Sequence, residues 1–420
     1  MFTHTDSIEF FVLIMGSIIL LSILIRNFVR RIGIPPLVGY MLLGFIVRLV
    51  NIPSNFLSES TYEIFEFLGT IGIIFLLFRV GLSSNIGGLI RQLKRSTVIW
   101  LGNIIISGIL GFVAAKYLLG LELVPSMFVT IALTATSVAV SVGTWQEAKA
   151  LESPLGELLV DSAEMDDISG VILMALLFSV APLVQGGSGV TLLPVILTTL
   201  GIFLLKLIGF GAVCYFFSRY VESPISHYFQ KMRTGLQSYQ FIFLIGVALV
   251  ISAVAGLIGF SVAIGAFFAG LAFSRDLESY QEKSRKASRL AILYQLFPPF
   301  FFINIGLNVD PTVLSSSIYI GLVLLVFAIV GKILGNGLPA LFSTKWTGAL
   351  LLGTSMIPRA EMAMVIMHQG LLLGDWAVPT SLYSGMVLVS LVTAIISPVI
   401  IRSMLKKWPQ NSILINDAPM

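Results

Sequence analysis

The sequence has 420 residues, of which 57% are hydrophobic and only 11% are charged, and its mean hydropathy is +0.98. This composition excludes an ordinary soluble globular chain and predicts an integral membrane protein. The formal net charge of +4 does not indicate nucleic-acid binding, because the basic residues are distributed as membrane topology requires.

Hydrophobic runs, taken in chain order, predict an all-α polytopic membrane protein with about thirteen spanning helices. The runs are too continuous for barrel strands, which alternate over segments of about ten residues. The predicted spans cover residues 8–29, 34–50, 62–82, 97–119, 123–146, 154–184, 190–220, 236–257, 259–274, 290–308, 314–342, 346–373 and 379–403. We expect one membrane domain over residues 1–420 and no soluble regulatory domain.

Lysine and arginine collect in every second connection between these spans. Six connections and the C-terminal end of the last span hold 19 of the 25 basic residues, among them Arg31, Lys149 and Arg402. Because cytoplasmic loops carry the positive charge, this pattern predicts an outside N-terminus and a cytoplasmic C-terminus. We therefore expect a multi-pass protein surrounded by the lipid of a prokaryotic inner membrane.

Two pairs of segments suggest an internal duplication. VGYMLLGF resembles IGAFFAGL, and FLLFRVGLSSN resembles FFFINIGLNVD, at residues 38–45, 264–271, 75–85 and 300–310 respectively. Gly44 and Gly81 are 37 residues apart, and the matching Gly270 and Gly306 are 36 apart. The copies begin at the second and ninth spans, an odd offset, so one must be inverted relative to the other. We place the repeats at about 34–184 and 259–403.

Corresponding spans of the two repeats contain sequences that weaken a helix. The fifth span holds Thr134, Thr136 and Ser137, and the twelfth holds Pro358 between helix-forming residues and beside Arg359 and Glu361. We expect both helices to unwind and cross at the midplane, with Arg359 and Glu361 neutralising the half-helix ends and each other. An alternative for the threonine and serine cluster is ordinary hydrogen bonding between helices.

The sixth span carries two adjacent aspartates. Asp166 and Asp167 lie about 18 Å along a helix that starts near Pro154, close to the bilayer centre. Adjacent residues point about 100° apart, so one aspartate can face a water-filled cavity while the other faces a neighbouring helix. We expect Lys332 to pair with Asp166, because the eleventh span takes in the second repeat the place of the fourth in the first.

The motifs TATSVAVSV, MDDISG, FFFINIGLNVD, GKILGNG and MIPRAEMA occur in the order found in the second monovalent cation:proton antiporter family. The chain resembles its paired-aspartate sodium/proton antiporters over spans two to thirteen. The resemblance implies that Asp167 binds the cation and the proton in competition, that Asp166 is its partner and that Lys332 is the counter-charge. It also implies a homodimer in which a core bundle moves against a dimerisation domain.

Two further acids precede the pair on the same helix. Asp161, Glu164 and Asp167 are spaced to line one face, and such a face would form an acidic funnel from the cytoplasm to the site. The alternative is that Asp161 and Glu164 simply lie in water near the inner surface.

Taken together, the residues predict an antiporter rather than an enzyme, with no cofactor besides the transported ions. We expect exchange of Na⁺ or Li⁺ for protons by alternating access, with oxygen ligands from Asp167 and the segment 134–137. The exchange is electrogenic if breaking the Asp166–Lys332 pair releases a second proton. The alternatives are a K⁺/H⁺ exchanger, a cation channel, or a non-transporting sensor built on the same fold.

Overall fold

The computed structural model describes residues 8–54, 56–83, 93–186, 192–217, 219–220, 237–278 and 295–408. Within these residues the chain is almost entirely helical, which confirms the predicted all-α class. Parts of three connections predicted to be cytoplasmic, at 84–92, 221–236 and 279–294, lie outside the described residues.

The helices follow the predicted spans closely. They are α1 Ile8–Arg31, α2 Pro36–Ser54, α3 Glu59–Ser83, α4 Leu93–Gly102, α5 Gly108–Val113, α6 Leu123–Thr134, α7 Val138–Glu147, α8 Pro154–Gln185, α9 Leu192–Phe217, α10 Gln237–Leu257, α11 Val262–Glu278, α12 Pro298–Leu307, α13 Leu314–Ala340, α14 Trp346–Ser355, α15 Glu361–Leu373 and α16 Thr380–Lys407. The fifth and twelfth predicted spans each divide into two helices, as expected. The fourth span also contains two π-helical segments, Asn103–Ser107 and Ala114–Leu118, which were not predicted.

Seven helices in the described part of the chain are long and apolar enough to cross a membrane. They are Phe11–Arg31, Pro36–Ser54, Glu59–Leu82, Ser96–Leu118, Pro154–Gln185, Ser315–Ala340 and Thr380–Lys407. Shorter apolar helices occupy several of the other predicted positions. They include one half of each broken span, namely α6 of the first and α15 of the second. The protein is therefore a multi-pass membrane protein, and the count of thirteen spans stays a prediction.

The chain divides into two compact units. The first unit comprises residues 1–57, 87–177 and 302–420, and it contains both broken spans together with α13 and α16. Its packed interior includes Trp145, which is fully buried and donates a 2.9 Å hydrogen bond from Nε1 to Ser355 Oγ. The second unit comprises residues 58–86 and 178–301, and α3 packs along α11 within it.

A close helix crossing in the first unit joins the two predicted repeats. A methyl group on Gly44 of α2 would overlap the Ile303 carbonyl oxygen of α12, and one on Gly306 would overlap the Met41 carbonyl oxygen. Only glycine allows two helix backbones to approach this closely. The crossing therefore explains why both positions are glycine.

The second unit contains the matching crossing. A methyl group on Gly81 of α3 would overlap the Phe267 carbonyl oxygen of α11, and one on Gly270 would overlap the Phe78 carbonyl oxygen. Exchanging the two repeats by the predicted alignment converts each crossing into the other, contact by contact. This internal symmetry supports the duplication, although the repeat boundaries stay predictions.

Candidate ion site

The first broken span is interrupted at three residues. α6 ends at Thr134, α7 begins at Val138, and both Ala135 and Ser137 have extended backbone angles. Threonine and serine side chains compete with the backbone for hydrogen bonds, which weakens a helix at such a cluster. The interruption leaves carbonyl groups at the end of α6 and N–H groups at the start of α7 for other partners.

The second broken span is interrupted over residues 356–360. α14 ends at Ser355 and α15 begins at Glu361, with Pro358 in the gap. Proline lacks the N–H that a continuous helix would use, so Pro358 itself indicates the break.

The two interruptions meet. The backbone N–H of Ser137 donates a 2.8 Å hydrogen bond to the Pro358 carbonyl, and Ser141 Oγ donates to the Ser355 carbonyl. Ser137 Oγ also donates a 2.6 Å hydrogen bond to Glu361 Oε2. The predicted crossing of two broken helices is therefore present.

Charged side chains lie at the half-helix ends, and each has the sign of charge that the helix dipole favours at that end. Arg359 donates from Nη1 to the Ala135 carbonyl and Lys332 Nζ donates a 2.6 Å bond to the Thr134 carbonyl, so two cations lie at the C-terminal end of α6. Glu361 is the first residue of α15 and accepts from Ser137 at the start of α7, so an anion lies at two helix N-termini. Arg359 and Glu361 therefore lie at half-helix ends, and their neutralisation of these ends and of each other stays a prediction.

Asp166 lies opposite Lys332, and the two form a fully buried ion pair. Lys332 Nζ is 3.0 Å from Asp166 Oδ2, and both side chains are 0% exposed. Thr136 Oγ1 donates a 2.6 Å bond to the same oxygen while it accepts a 2.6 Å bond from Lys332 Nζ. The structure therefore brings together Asp166, Thr136 and Lys332, which lie far apart in the sequence.

Three polar residues around Asp166 were not predicted from the sequence. Asn103 Nδ2 donates to Asp166 Oδ1 at 2.8 Å and to Oδ2 at 2.9 Å. Ser107 Oγ donates to Asn103 Oδ1 at 2.9 Å, and Asn336 Nδ2 lies 3.4 Å from that same oxygen. A signal existed, because Asn103 is a polar amide within an apolar span and Asn336 lies one helical turn after Lys332.

Asp167 has different surroundings. Its side chain is buried, and no hydrogen bond from the described residues reaches Oδ1. The charges of Glu361, Asp166, Glu164 and Lys332 all act on it. A buried carboxylate oxygen without a donor is costly unless a proton or a cation occupies it.

The hydroxyl groups predicted as ion ligands already have other partners. Thr134 Oγ1 donates to the Ile131 carbonyl at 2.8 Å, Thr136 is bonded to Asp166, and Ser137 is bonded to Glu361. Ligation of a cation by these three residues therefore stays a prediction. It requires their hydroxyl or carbonyl oxygens to accept the cation in addition to their present bonds.

The predicted acidic funnel follows a gradient of burial along α8. Glu157 is exposed, Asp161 and Glu164 are half-buried, and Asp167 is buried. Asp161 Oδ2 is itself buried, and it receives no hydrogen bond within the part of the chain that the structure describes. The acids therefore lie between the exposed start of the helix and the site.

The fold and the site define a class: a multi-pass membrane protein in which two interrupted helices cross beside a buried, lysine-paired aspartate. The sequence profile described as "sodium/hydrogen exchanger, transmembrane" matches residues 16–407. The chain belongs to this family, whose members are transporters.

Curated relatives and a solved structure agree with the assignment. The chain is 28% identical over 379 residues to the Na⁺/H⁺ antiporter of Enterococcus hirae, covering 90% of this chain and 94% of the relative. It is 28% identical to the Na⁺/H⁺-K⁺ antiporter GerN of Bacillus cereus, covering 89% and 90% respectively. The fold is similar to that of the sodium proton antiporter MjNhaP1 from Methanocaldococcus jannaschii, with a TM-score of 0.75 at 18% identity, covering 95% of this chain and 98% of that one.

Proposed function

We propose that this protein is a secondary antiporter that exchanges Na⁺ or Li⁺ for protons by alternating access, with Asp167 as the shared binding group. The observation that carries the proposal is the buried Asp167 Oδ1, which no donor in the described residues satisfies, beside the crossing of the broken helices. The family assignment and the names of the relatives support the same activity.

Competition at one carboxyl group explains coupled exchange. Removal from water favours the protonated form of a carboxyl group, and a hard monovalent cation with oxygen ligands can replace that proton. Because the group must hold either ion before the site changes sides, movement of a cation in one direction requires movement of protons in the other. Glu164 and Glu361 add negative charge near the site, which favours the cation.

We further propose that transport is electrogenic. The Asp166–Lys332 pair lies beside Asp167, and the charges of both members of the pair act on Asp167. If cation binding separates the pair and Lys332 releases its proton, two protons move per monovalent cation and net charge crosses the membrane.

A K⁺/H⁺ exchanger is the second candidate. It is favoured by the similarity to GerN, which is named as a Na⁺/H⁺-K⁺ antiporter. The oxygen ligands of the site suit Na⁺, Li⁺ and K⁺ alike, so ion order has to be measured.

The proposed topology has the N-terminus outside and the C-terminus in the cytoplasm of a prokaryotic inner membrane. Arg402 Nη2 lies 2.6 Å from Glu147 Oε2, and Arg402 also lies against Gly33. These residues belong to three connections or helix ends that the charge pattern assigns to the same side, so their proximity supports the assignment. Labelling of Arg31→Cys and Lys406→Cys in intact cells, each combined with Cys214→Ser, tests it, since both exposed positions should resist an impermeant reagent and react after the membrane is opened.

The homodimer and the contact with lipid are also proposals, which follow from the resemblance to the antiporter family. Mass spectrometry of the protein released from detergent or lipid nanodiscs measures the number of chains directly. A mass of one chain at all concentrations would contradict the dimer.

The activity is tested with purified protein in liposomes that contain an internal pH dye. Na⁺, Li⁺ and K⁺ are added in turn under an imposed proton gradient, with the membrane potential either clamped or free. Cation-triggered proton movement that disappears in Asp167→Asn is the expected result. Its ion order identifies the substrate, and its response to the potential decides electrogenicity. Downhill cation flux without proton movement would indicate a channel, and cation-dependent thermal stabilisation without flux would indicate a sensor.

A further inference from the structure

Two lysine–tryptophan pairs from different parts of the chain meet at one end of the first unit. Lys345 and Trp346 stand at the start of α14, and Lys407 and Trp408 stand at the end of α16. The two ring centroids are 5.6 Å apart in an edge-to-face arrangement. The protein has five tryptophans, so two of them are gathered at this position, each directly after a lysine.

The turn between α13 and α14 exposes another large apolar side chain, four residues before Trp346. The Ala340 carbonyl at the end of α13 accepts a 2.8 Å hydrogen bond from the Thr344 N–H, which holds the turn. Trp408 packs against the buried core of this unit, whereas Trp346 is 65% exposed and Phe342 is 81% exposed. One ring is therefore anchored in the protein, and two rings face the surroundings.

The lengths of the helices place these residues at the depth of the lipid headgroups. α13 has 27 residues and α16 has 28, so each is about 40 Å long and exceeds the roughly 30 Å of the hydrocarbon core. Their ends therefore reach the interfacial layer, where tryptophan is enriched in membrane proteins. The proposed topology assigns these ends to the cytoplasmic side.

The charge at this position is positive. Lys345, Lys406 and Lys407 are exposed, and α13, α14, α16 and the turn 341–345 contain no aspartate or glutamate. Glu147 of α7 reaches α16, but it lies 2.6 Å from Arg402, one turn before the lysines. Exposed lysines favour an anionic ligand and disfavour a cationic one such as choline, which an aromatic pair alone could bind.

We propose that this end of the first unit binds the headgroup of an anionic phospholipid of the cytoplasmic leaflet. The lysine–tryptophan surface consists of Phe342, Lys345, Trp346, Lys406, Lys407 and Trp408. The lysines supply positive charge for the phosphate, and the exposed rings supply apolar area for the glycerol esters and the start of an acyl chain. A soluble anion would leave those rings in water, so the rings favour a lipid. The inference goes beyond the proposed function and does not depend on antiport.

The first experiment is native mass spectrometry of the purified protein with equal amounts of dioleoyl phosphatidylglycerol and dioleoyl phosphatidylcholine. The parent should bind phosphatidylglycerol in preference. In the triple variant Lys345→Gln, Lys406→Gln, Lys407→Gln, this preference should fall about five-fold for each lysine removed, since each basic residue adds to the attraction of anionic lipid. No preference in the parent, or an unchanged preference in the folded variant, would overturn the proposal.

A second triple variant distinguishes this surface from total charge. Arg30→Gln, Arg31→Gln and Lys149→Gln remove the same charge from exposed positions that are predicted on the same side of the membrane. This variant should keep the preference of the parent, and an equal loss in both triple variants would refute the site. If the first triple variant does not fold, Lys406→Gln with Lys407→Gln replaces it. Its preference should fall about 25-fold, and an unchanged preference would again contradict the proposal.

Fluorescence quenching locates the bound lipid. Phosphatidylglycerol brominated on its acyl chains should quench tryptophan emission more than brominated phosphatidylcholine does, and this difference should disappear in Trp346→Phe, Trp408→Phe. A difference that persists in the variant would place the lipid near another tryptophan and refute the site.

Inorganic phosphate provides the comparison with a soluble anion. Phosphate added before the brominated phosphatidylglycerol should leave the quenching in place, whereas loss of quenching would indicate a site for soluble anions and overturn the proposal. Neither binding measurement requires transport. A parent that binds the lipid at this surface but moves no ions would contradict antiport alone, and a transporting parent without lipid preference would contradict this site alone.

Discussion

Asp166 and Asp167 are adjacent in the chain and buried to similar depth, at 2% and 7% exposed, yet their surroundings are opposite. Asp166 is held by Lys332, Thr136 and Asn103, whereas Asp167 Oδ1 receives no hydrogen bond from any described residue. We call Asp166 the saturated carboxylate because both of its oxygens accept hydrogen bonds, and Asp167 the unsatisfied one because its Oδ1 accepts none from the described residues. The comparison teaches that hydrogen-bond partners, and not depth of burial, distinguish the two adjacent aspartates.

The largest effect should follow from removing the unsatisfied carboxylate. Asp167→Asn keeps the shape of the side chain but removes the group that exchanges a proton for a cation, so transport should fall at least 100-fold. Because no partner loses a bond to Oδ1, the variant should unfold at a temperature close to that of the parent. Asp375→Asn, at an exposed position, is the control and should transport normally. Transport by Asp167→Asn at a tenth of the parent rate would reverse the assignment of the two aspartates.

Changes at the saturated carboxylate should instead act strongly on stability. Lys332→Gln leaves a buried charge without its ion-pair partner, which typically costs about 3–5 kcal/mol. Pairing it with Asp166→Asn removes both charges, and the double variant should recover much of that loss. Thermal unfolding in detergent measures all three proteins. Equal destabilisation in Lys332→Gln and in the double variant would mean that the ion pair adds nothing beyond the packing of the lysine.

The same variants bear on stoichiometry. If Lys332 carries the second proton, Lys332→Gln should exchange one proton per monovalent cation and lose its response to membrane potential. Charge movement in planar bilayers or on solid supports records this directly. A variant that still moves net charge with the pH dependence of the parent would contradict a proton-carrying Lys332.

A smaller effect on stability is expected from removing the hydrogen bond that joins the first broken helix to the second. Ser137→Ala removes a 2.6 Å hydrogen bond to the buried carboxylate of Glu361, and bonds to charged groups contribute about 1.5–3 kcal/mol. Ser126→Ala, which removes bonds from the hydroxyl to the Glu122 and Leu121 carbonyls just before α6, gives the reference for loss of a buried hydroxyl. A Ser137 variant no less stable than the Ser126 variant would show that the tie between the broken helices contributes little.

The smallest effect should come from the acids of the predicted funnel. Glu164→Gln removes a charge that acts on Asp167 and should weaken apparent cation affinity by a few fold, whereas Asp161→Asn, farther along the helix, should do less. Apparent affinities from cation titrations at low and high ionic strength distinguish a local effect from a screened one. Unchanged affinity in both variants would favour the alternative that these acids lie in water without contributing to the site.

Much of the architecture was open to prediction because membrane insertion is a local constraint. Each span must be apolar over its own length, and each connection carries its own charges, so the helices and their proposed orientation follow from contiguous residues. The helix breaks were predictable for the same reason, since Pro358 and the segment 134–137 disturb their own helices. The glycine pairs indicated the repeat because a close crossing tolerates no other side chain at either position.

The residues that bond to Asp166 were harder to predict, because they are distant from it in the sequence. The pairing of Asp166 with Lys332 could be anticipated only from the order of the elements in the repeats, and Asn103 was missed. Apolar residues surround this asparagine in the sequence, and nothing local indicates that a π-helical segment turns it toward residues 63 and 229 positions away.

By itself, then, the sequence determined a multi-pass helical membrane protein with two interruptible helices and a carboxylate pair near the bilayer centre. Only the tertiary structure decided which carboxylate has donors at both oxygens and which has an oxygen that no described residue satisfies. Hydrophobicity and helix breaking act through neighbours in the chain, whereas hydrogen bonds to a buried carboxylate depend on a few tenths of an ångström between helices that meet only in the folded protein.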